Sequence, residues 1–225
     1  MAAKLSNLLA RAPTMDDLGA ITELRVSCDI AEHGMSNSTR EAVLADWQRP
    51  GFNLSTDAWV IVTTRGRCVG YAQVWPCAST DNSVFACVHP SYRSRGIGML
   101  LLRLAEARAR EQIDATSPGV RVTLTSAVSH VNEVARRLLE REGYIPVRQF
   151  WRLIVEMEDD PSQSFKEFSQ HGKLNLDLFV DVPNLIGTTH KRQRTGTYVA
   201  RQFDIYEKEL RTGTEQPTKR GASRT

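Results

Sequence analysis

Apolar positions along the chain repeat with two different periods, and the switches between them outline the elements. Thr14-Met-Asp-Asp17 is a capping-box start with acids in the first turn, and it predicts a helix running to about Ile30. A strand over Leu9–Ala12 is predicted before it, and a second helix from Ser38-Thr39 to just before Pro50-Gly51. Ala58-Trp-Val-Ile-Val-Thr63 is β-branched and aromatic, Thr64-Arg-Gly-Arg67 turns the chain, and Cys68-Val-Gly-Tyr-Ala-Gln-Val-Trp75 returns it, which is a hairpin pattern. A third strand, Ser83–Val88, stops at Pro90. Ile97, Leu100, Leu101, Leu104 and Ala105 then fall on one helical face, with Arg103, Glu106 and Arg110 on the other. Val120–Ser126 alternates as a strand, Asn132–Glu142 reads as a helix stopped by Gly143, and Val147–Met157 as a strand.

The order is β-α-α-β-β-β-loop-α-β-α-β, which predicts an α/β domain with a mixed sheet over residues 1–158. Residues 159–173 are polar and read as a linker, and 213–225 as a disordered basic tail. Between them the chain resembles itself. Gly143-Tyr-Ile-Pro-Val-Arg-Gln-Phe150 and Gly196-Thr-Tyr-Val-Ala-Arg-Gln-Phe203 share the Arg-Gln-Phe triplet, each behind a strand, an Asn and a helical stretch. Residues 174–212 are therefore expected to be a partial, degenerate repeat folded as strand–helix–strand. Leu174, Leu176, Leu178 and Val180 alternate, so this piece has an apolar face that needs either the first domain or a second chain, giving a homodimer.

Composition narrows the function classes. With 225 residues, 41% hydrophobic and 24% charged, the chain has ordinary globular make-up. No apolar run reaches 18 residues, which argues against a membrane helix. Met1–Asp17 lacks the apolar core of a secretory leader. Cys28, Cys68, Cys77 and Cys87 contain no C-x-x-C pair, so no metal is expected and free thiols in a reducing, cytoplasmic compartment are. The net charge of +3 is small, and residues 190–225 supply nine Lys/Arg against four acids. Tyr198, Phe203 and Tyr206 are interleaved with that charge, but they alternate as in a strand, which argues for a solvated basic tail and against nucleic-acid binding.

The chemistry-bearing segment is Val88-His-Pro-Ser-Tyr-Arg-Ser-Arg-Gly-Ile-Gly98. A strand feeds a glycine-containing loop that opens a helix, and amides at a helix N-terminus attract a pyrophosphate. Arg93 and Arg95 add positive charge. Neither a G-x-G-x-x-G dinucleotide loop nor a P-loop is present. With V-x-P ahead and strand–Asn–helix–Gly-Tyr behind, the R-x-x-G-x-G run at Arg93–Gly98 resembles the GNAT superfamily of acetyl-CoA-dependent N-acetyltransferases, over residues 9 to about 157. The partial second copy is similar to mycothiol-synthase-like tandem proteins. The resemblance implies a GNAT fold whose strand ending Ala86-Cys87-Val88 splays from the strand at 120–126. The pantetheine arm of acetyl-CoA would lie in that gap against Cys87 and Val88. The amides of Arg93, Ser94, Arg95, Gly96, Ile97 and Gly98 would hold the pyrophosphate, and Asn132 would contact the cofactor.

The sequence departs from the family where many members carry a Tyr that protonates the leaving thiolate, because that position is Leu139. Tyr144 is the nearby phenol. No Glu lies between Glu41 and Glu106, which leaves Asp81 as the carboxylate expected to act as base. His89 and His130 can both face the cleft, against the commoner role of a surface or capping residue, and Cys28, Glu32, His33, Trp47 and Trp75 are expected on the acceptor side. The expected function is transfer of acetyl from acetyl-CoA to an amine, on a small molecule or a protein, by direct attack. An acyl-CoA-binding protein without transferase activity is the alternative.

Overall fold

The two periods fold as two kinds of layer. In a computed structural model of the chain, strands β1 (Leu8–Arg11), β2 (Ala58–Thr63), β3 (Cys68–Trp75), β4 (Asp81–Val88), β5 (Val122–Ser129), β6 (Ile145–Glu156), β7 (Lys173–Val180) and β8 (Tyr198–Arg211) form one eight-stranded sheet. Helices α1 (Leu18–His33), α2 (Arg40–Trp47), α3 (Ile97–Glu111) and α4 (Glu133–Arg141) pack on it. The structure describes residues 7–75, 81–111, 113, 119–156, 173–180 and 198–214, with the backbone alone at 81, 152–156, 173–180 and 198–200. The predicted elements recur with shifted ends. A 3-10 turn, Met15–Asp17, precedes α1, and the Thr14 amide donates to the Asp17 carboxylate at 2.7 Å as the capping box requires. Thr39 caps α2 by accepting from the Ala42 amide at 3.1 Å.

The strand order is β1-β2-β3-β4-β5-β8-β6-β7. All neighbours are antiparallel except β4 and β5, which are parallel. Both faces are covered over the middle of the sheet, so β3 is buried along nearly its whole length. On one face Leu18, Ile21, Leu24 and Cys28 of α1 and Val43 and Trp47 of α2 meet Val60, Val62 and Tyr71. On the other face Ile97 and Leu101 of α3 meet Ile61, Val69 and Ala72. Leu102, Ala105 and Leu139 close the same side over Val84, Leu124, Val128 and Tyr206. Close approach at this second layer depends on Gly70. A Cβ there would stand 2.8 Å from Ile97 Cγ2 and 3.2 Å from Ile61 Cβ. An isolated glycine within a strand pattern is the sequence mark of such an approach.

The C-terminal third is placed differently from expectation. β8 lies between β5 and β6, pairing Ser126 with Tyr206 on one side and Phe150 with Phe203 on the other. The boundary expected at residue 158 is therefore not a boundary of the sheet, since β7 and β8 continue the sheet of β1–β6. The two Arg-Gln-Phe triplets are on adjacent antiparallel strands, where Phe150 and Phe203 stack with centroids 4.8 Å apart and planes at 11°. The predicted linker, apart from its last residue Lys173, and the helix predicted within the repeat lie outside the described residues. Gly213 and Thr214, expected in the tail, are held to the sheet end, and residues 215–225 lie outside the described residues. The Thr214 amide donates to Gly119 O at 2.9 Å and the Arg121 amide to Thr214 O at 3.1 Å. Among the described residues no helix is long and apolar enough to cross a membrane.

Two predictions follow from this packing. A chain ending at Asp160 loses the strand that joins β5 to β6, and it should be insoluble or lack a cooperative thermal transition. A soluble, monomeric fragment with a sharp transition would show that β8 is dispensable. Gly70→Ala should cost about 1–3 kcal/mol in denaturant unfolding, because the new methyl meets Ile97 within a packed layer.

Candidate active site

The parallel pair stops halfway. β4 and β5 are in register from Asp81↔Thr123 to Val84↔Ser126 and no further. Phe85–Val88 continue to pair with β3, and Ala127–Ser129 with β8. The facing edges beyond Val84 and Ser126 thus diverge and leave a gap with unpaired backbone along it. At the open end, Val88 leads through the 3-10 turn Pro90–Tyr92 into α3. Ser94 has φ of 60° and Gly96 has φ of 87°, so the loop folds back twice within three residues. The first helical bond reaching back to this loop is Leu100 N–H to Gly96 O at 3.0 Å. The amides ahead of it form the positive end of a 15-residue helix beside the gap. Gly98 lets α3 sit close to α4, since a Cβ would stand 3.0 Å from Leu138 Cδ2.

Four side chains gather at the open end. The Cys28 thiol donates to Val88 O at 3.3 Å. The Arg93 Nε approaches the same carbonyl at 3.4 Å, and its Nη2 donates to Glu32 Oε1 at 2.6 Å. Asn132 Nδ2 donates to that same Glu32 oxygen at 2.6 Å, while Asn132 Oδ1 caps α4 by accepting from Ala135 N–H at 3.1 Å. Glu32 thus ties α1 to the β4–α3 loop and to the start of α4. Burial pushes the Glu32 carboxyl above the ordinary carboxylate range, and the Arg93 guanidinium pulls it back down. The neighbouring Cys28 thiol and burial together push the Cys87 thiol up.

The sequence-predicted residues divide between this opening and other places. Val88, Cys87, Ser94, Gly96, Gly98 and Asn132 border the gap or the loop beside it. Ile97 anchors the helix start in the core. Arg93 is in the loop, yet its side chain is turned to Glu32, and Arg95 lies over the Tyr92 ring at 4.9 Å. Asp81, expected as base, is the first residue of β4 and pairs with Thr123 at the closed end. Its backbone lies roughly 23 Å along the strand from Val88. Tyr144 is 2% exposed, packed under α3 and α4, with its hydroxyl sealed off and unpartnered among the described residues. Burial and the Glu106 carboxylate raise its pKa, so it stays a neutral phenol in the core. Leu139 packs in the same cluster. His89 caps the turn after β4, accepting from Ser91 N–H at 3.2 Å. His130 reaches Asp204 at 2.9 Å on the α3/α4 face. Trp47 is a core residue that donates to Tyr71 OH at 2.8 Å.

The role of Glu32 as a bridge was hidden in the sequence, because its partners are 61 and 100 positions away. A buried polar chain on the same face was also missed. Arg25 donates to Asp46 at 3.1 Å, Gln73 to Asp46 at 3.3 Å, and Tyr71 OH to Gln73. Among the described residues no cluster of His, Cys, Asp and Glu could hold a metal ion.

A half-open parallel pair with a glycine loop and helix start at its mouth meets its counterpart among known families. Residues 55–146 match the model of the acetyltransferase (GNAT) domain. That stretch is similar to a GNAT acetyltransferase domain. Solved structures share the fold well beyond that segment. A GCN5-related N-acetyltransferase from Sphaerobacter thermophilus has a TM-score of 0.76 at 17% identity, covering 93% of this chain and 98% of its own. A GNAT superfamily phosphinothricin acetyltransferase from Sinorhizobium meliloti, solved in complex with acetyl-CoA, has a TM-score of 0.55 at 15% identity, covering 96% of each chain. An acetyltransferase structure from Salmonella typhimurium, holding its cofactor acetyl-CoA, has a TM-score of 0.54 at 16% identity, covering 91% of this chain and 95% of its own. At these identities the likeness is one of fold. No curated protein matches the chain at a significant level.

The double role of Asn132 is testable. Asn132→Asp keeps an oxygen for the α4 cap but replaces the donor that faces Glu32 with a second carboxylate. The repulsion raises carboxyl pKa values in the folded state, so the variant should be less stable than the parent near neutral pH. The deficit should shrink as pH falls toward the carboxylate range of about 4, where protonation removes the repulsion. Thermal midpoints at the two pH values measure it, and a pH-independent deficit would show that Asn132 acts as a cap alone.

Proposed function

We propose that the GNAT domain transfers an acetyl group from acetyl-CoA to an amine by direct attack. The observation that carries this reading is the β4–β5 gap with a row of free helix-start amides at its mouth. The amides of Ser94, Arg95, Gly96, Ile97 and Gly98 hold the pyrophosphate at the positive end of α3, with Arg95 as the nearby cation, while the Arg93 amide is already bonded to Pro90 O at 3.3 Å. The pantetheine arm runs into the gap against the unpaired edge of Cys87 and Val88, in strand-like contact. Asn132 borders it from the other wall. Acetyl-CoA held in the neighbours from Sinorhizobium meliloti and Salmonella typhimurium supports it as cosubstrate here. Cys28, Cys68 and Cys87 are free thiols, which fits a reducing, cytoplasmic setting.

The amine approaches from the α1 side, where Phe85, Cys87 and Cys28 line the sheet. With Leu139 in the core and Tyr144 sealed off, neither position supplies an acid for the leaving thiolate. A thiol of pKa about 8.5 leaves tolerably as the thiolate, so loss of the amine proton is the demanding proton transfer. The acceptor is an amine of a small molecule or of a protein.

Titration calorimetry should show acetyl-CoA binding, and Gly98→Val should abolish it by pushing the helix start off Leu138 and closing the loop. Thiol release with a panel of amines should then show turnover. Binding without release from any amine would favour an acyl-CoA-binding protein without transferase activity.

A further inference from the structure

Resting on the acetyl-transfer reading, we infer that Glu32 is the catalytic base that takes the proton from the acceptor ammonium. Three observations lead to it. Cys28 and Glu32 are one turn apart on α1, and both are tied to the Val88 carbonyl, Cys28 directly and Glu32 through the Arg93 guanidinium. The C-terminal turn of α1 is thereby fixed at the open end of the gap, on the acceptor side of the sheet. Next, the two short bonds from Arg93 and Asn132 both go to Oε1. Oε2 has no hydrogen-bond partner among the described residues, and the side chain is 15% exposed. One oxygen is held, and the other is free toward solvent.

The third observation is the placement of the other described carboxylates of the region. Asp29 is tied through Oδ2 to the chain after α1, accepting from Ser36 and Ser38 at 2.9 Å each and from the Asn37 amide at 3.3 Å, and has no bond to the β4–α3 loop or to α4 among the described residues. Asp46 is bonded to Arg25 and Gln73. Asp204 is on the opposite face with His130, Arg136 and Gln149. Asp81 begins β4 at the closed end. Glu32 alone among these stands at the mouth with an oxygen to spare.

The step balances without a further reactant. Glu32 Oε2 takes one proton from the ammonium, and the freed amine attacks the thioester carbonyl. The C–N bond forms and the C–S bond breaks. The second nitrogen proton goes to the departing thiolate, and Glu32 returns its proton to water. A base must be ionised to act, so kcat/KM for the amine rises with pH through the Glu32 pKa. The charged and titratable groups facing it are Arg93 from the β4–α3 loop, Cys28 and Asp29 on α1, and the uncharged Asn132 from α4. Burial, the largest influence, places that rise above the ordinary carboxylate range.

Glu32→Gln is the test, because its amide oxygen can still accept from Arg93 and Asn132. Acetyl-CoA affinity by calorimetry should match the parent, kcat/KM for the amine should fall about 10²- to 10⁴-fold, and the carboxylate limb of the pH profile should vanish. Glu32→Asp keeps the limb at a reduced kcat, and it decides the matter should the glutamine variant fail to fold. A glutamine variant that keeps the rate and the limb overturns the assignment. So does one that loses acetyl-CoA affinity in step with rate, which would make Glu32 a brace only. A parent protein that binds acetyl-CoA but acetylates no amine overturns the acetyl-transfer reading itself, and the base with it.

Discussion

A parallel strand pair that parts halfway leaves two edges of backbone without their partners, and the rest of the molecule is arranged around that deficit. Each strand is held on its other side instead. β4 stays on β3 to Val88, and β5 stays on β8 to Ser129. At the mouth, side chains supply what the missing ladder does not. The Val88 carbonyl takes the Cys28 thiol from α1 and the Arg93 Nε from the β4–α3 loop. Buried backbone acceptors need such partners, and each unsatisfied one costs on the order of 1–3 kcal/mol. Glu32 then closes the arrangement by binding the arginine that binds the carbonyl.

This bridging has an electrostatic consequence for the loop. With Arg93 neutralised by Glu32 at 2.6 Å, the attraction for an anion at the start of α3 rests on the oriented amides, the helix end and Arg95. The amides depend in turn on packing beneath them. Ile97 can sink onto β3 because position 70 has no side chain, and α4 can close on α3 because position 98 has none. The loop conformation is thus set from below by two glycines, and from within by the positive φ of Ser94 and Gly96.

How far the sequence discloses this follows from the range of each interaction. The hairpin β2–β3, the helices and their caps are local patterns, and they lie where alternation, Thr14, Thr39 and Asn132 place them. The loop Arg93–Gly98 is contiguous, so its motif could be read directly. The bonds of Glu32 and Asp46 join positions 21 to 100 residues apart in sequence, and no local period marks them. Asp81 lies away from the mouth for a related reason. Sequence distance placed it just ahead of the strand, whereas the strand direction places it at the closed end. Tyr144 shows that a phenol next to a motif can be core filler, as Leu139 is beside it.

The last strand in sequence is a middle strand in space, and this ties the C-terminus to the gap. An antiparallel strand can enter between β5 and β6 only if those two are left apart, and α4 with its turn at Gly143 leaves them so. Once β8 is in place, Ala127–Ser129 are held by Ile205–Phe203 where β4 no longer holds them. Phe203 stacks on Phe150 of β6, and His33 of α1 approaches Phe203 at 5.8 Å, next in sequence to Glu32. The wall of the gap furthest from α1 is therefore braced by the C-terminal strand, and that strand touches the helix end carrying the mouth residues. Of the two triplets at 148–150 and 201–203 only the phenylalanines face each other, since Arg148 is opposite Ile205 and Arg201 opposite Arg152, so the pair Phe150–Phe203 is what ties β8 to β6 there.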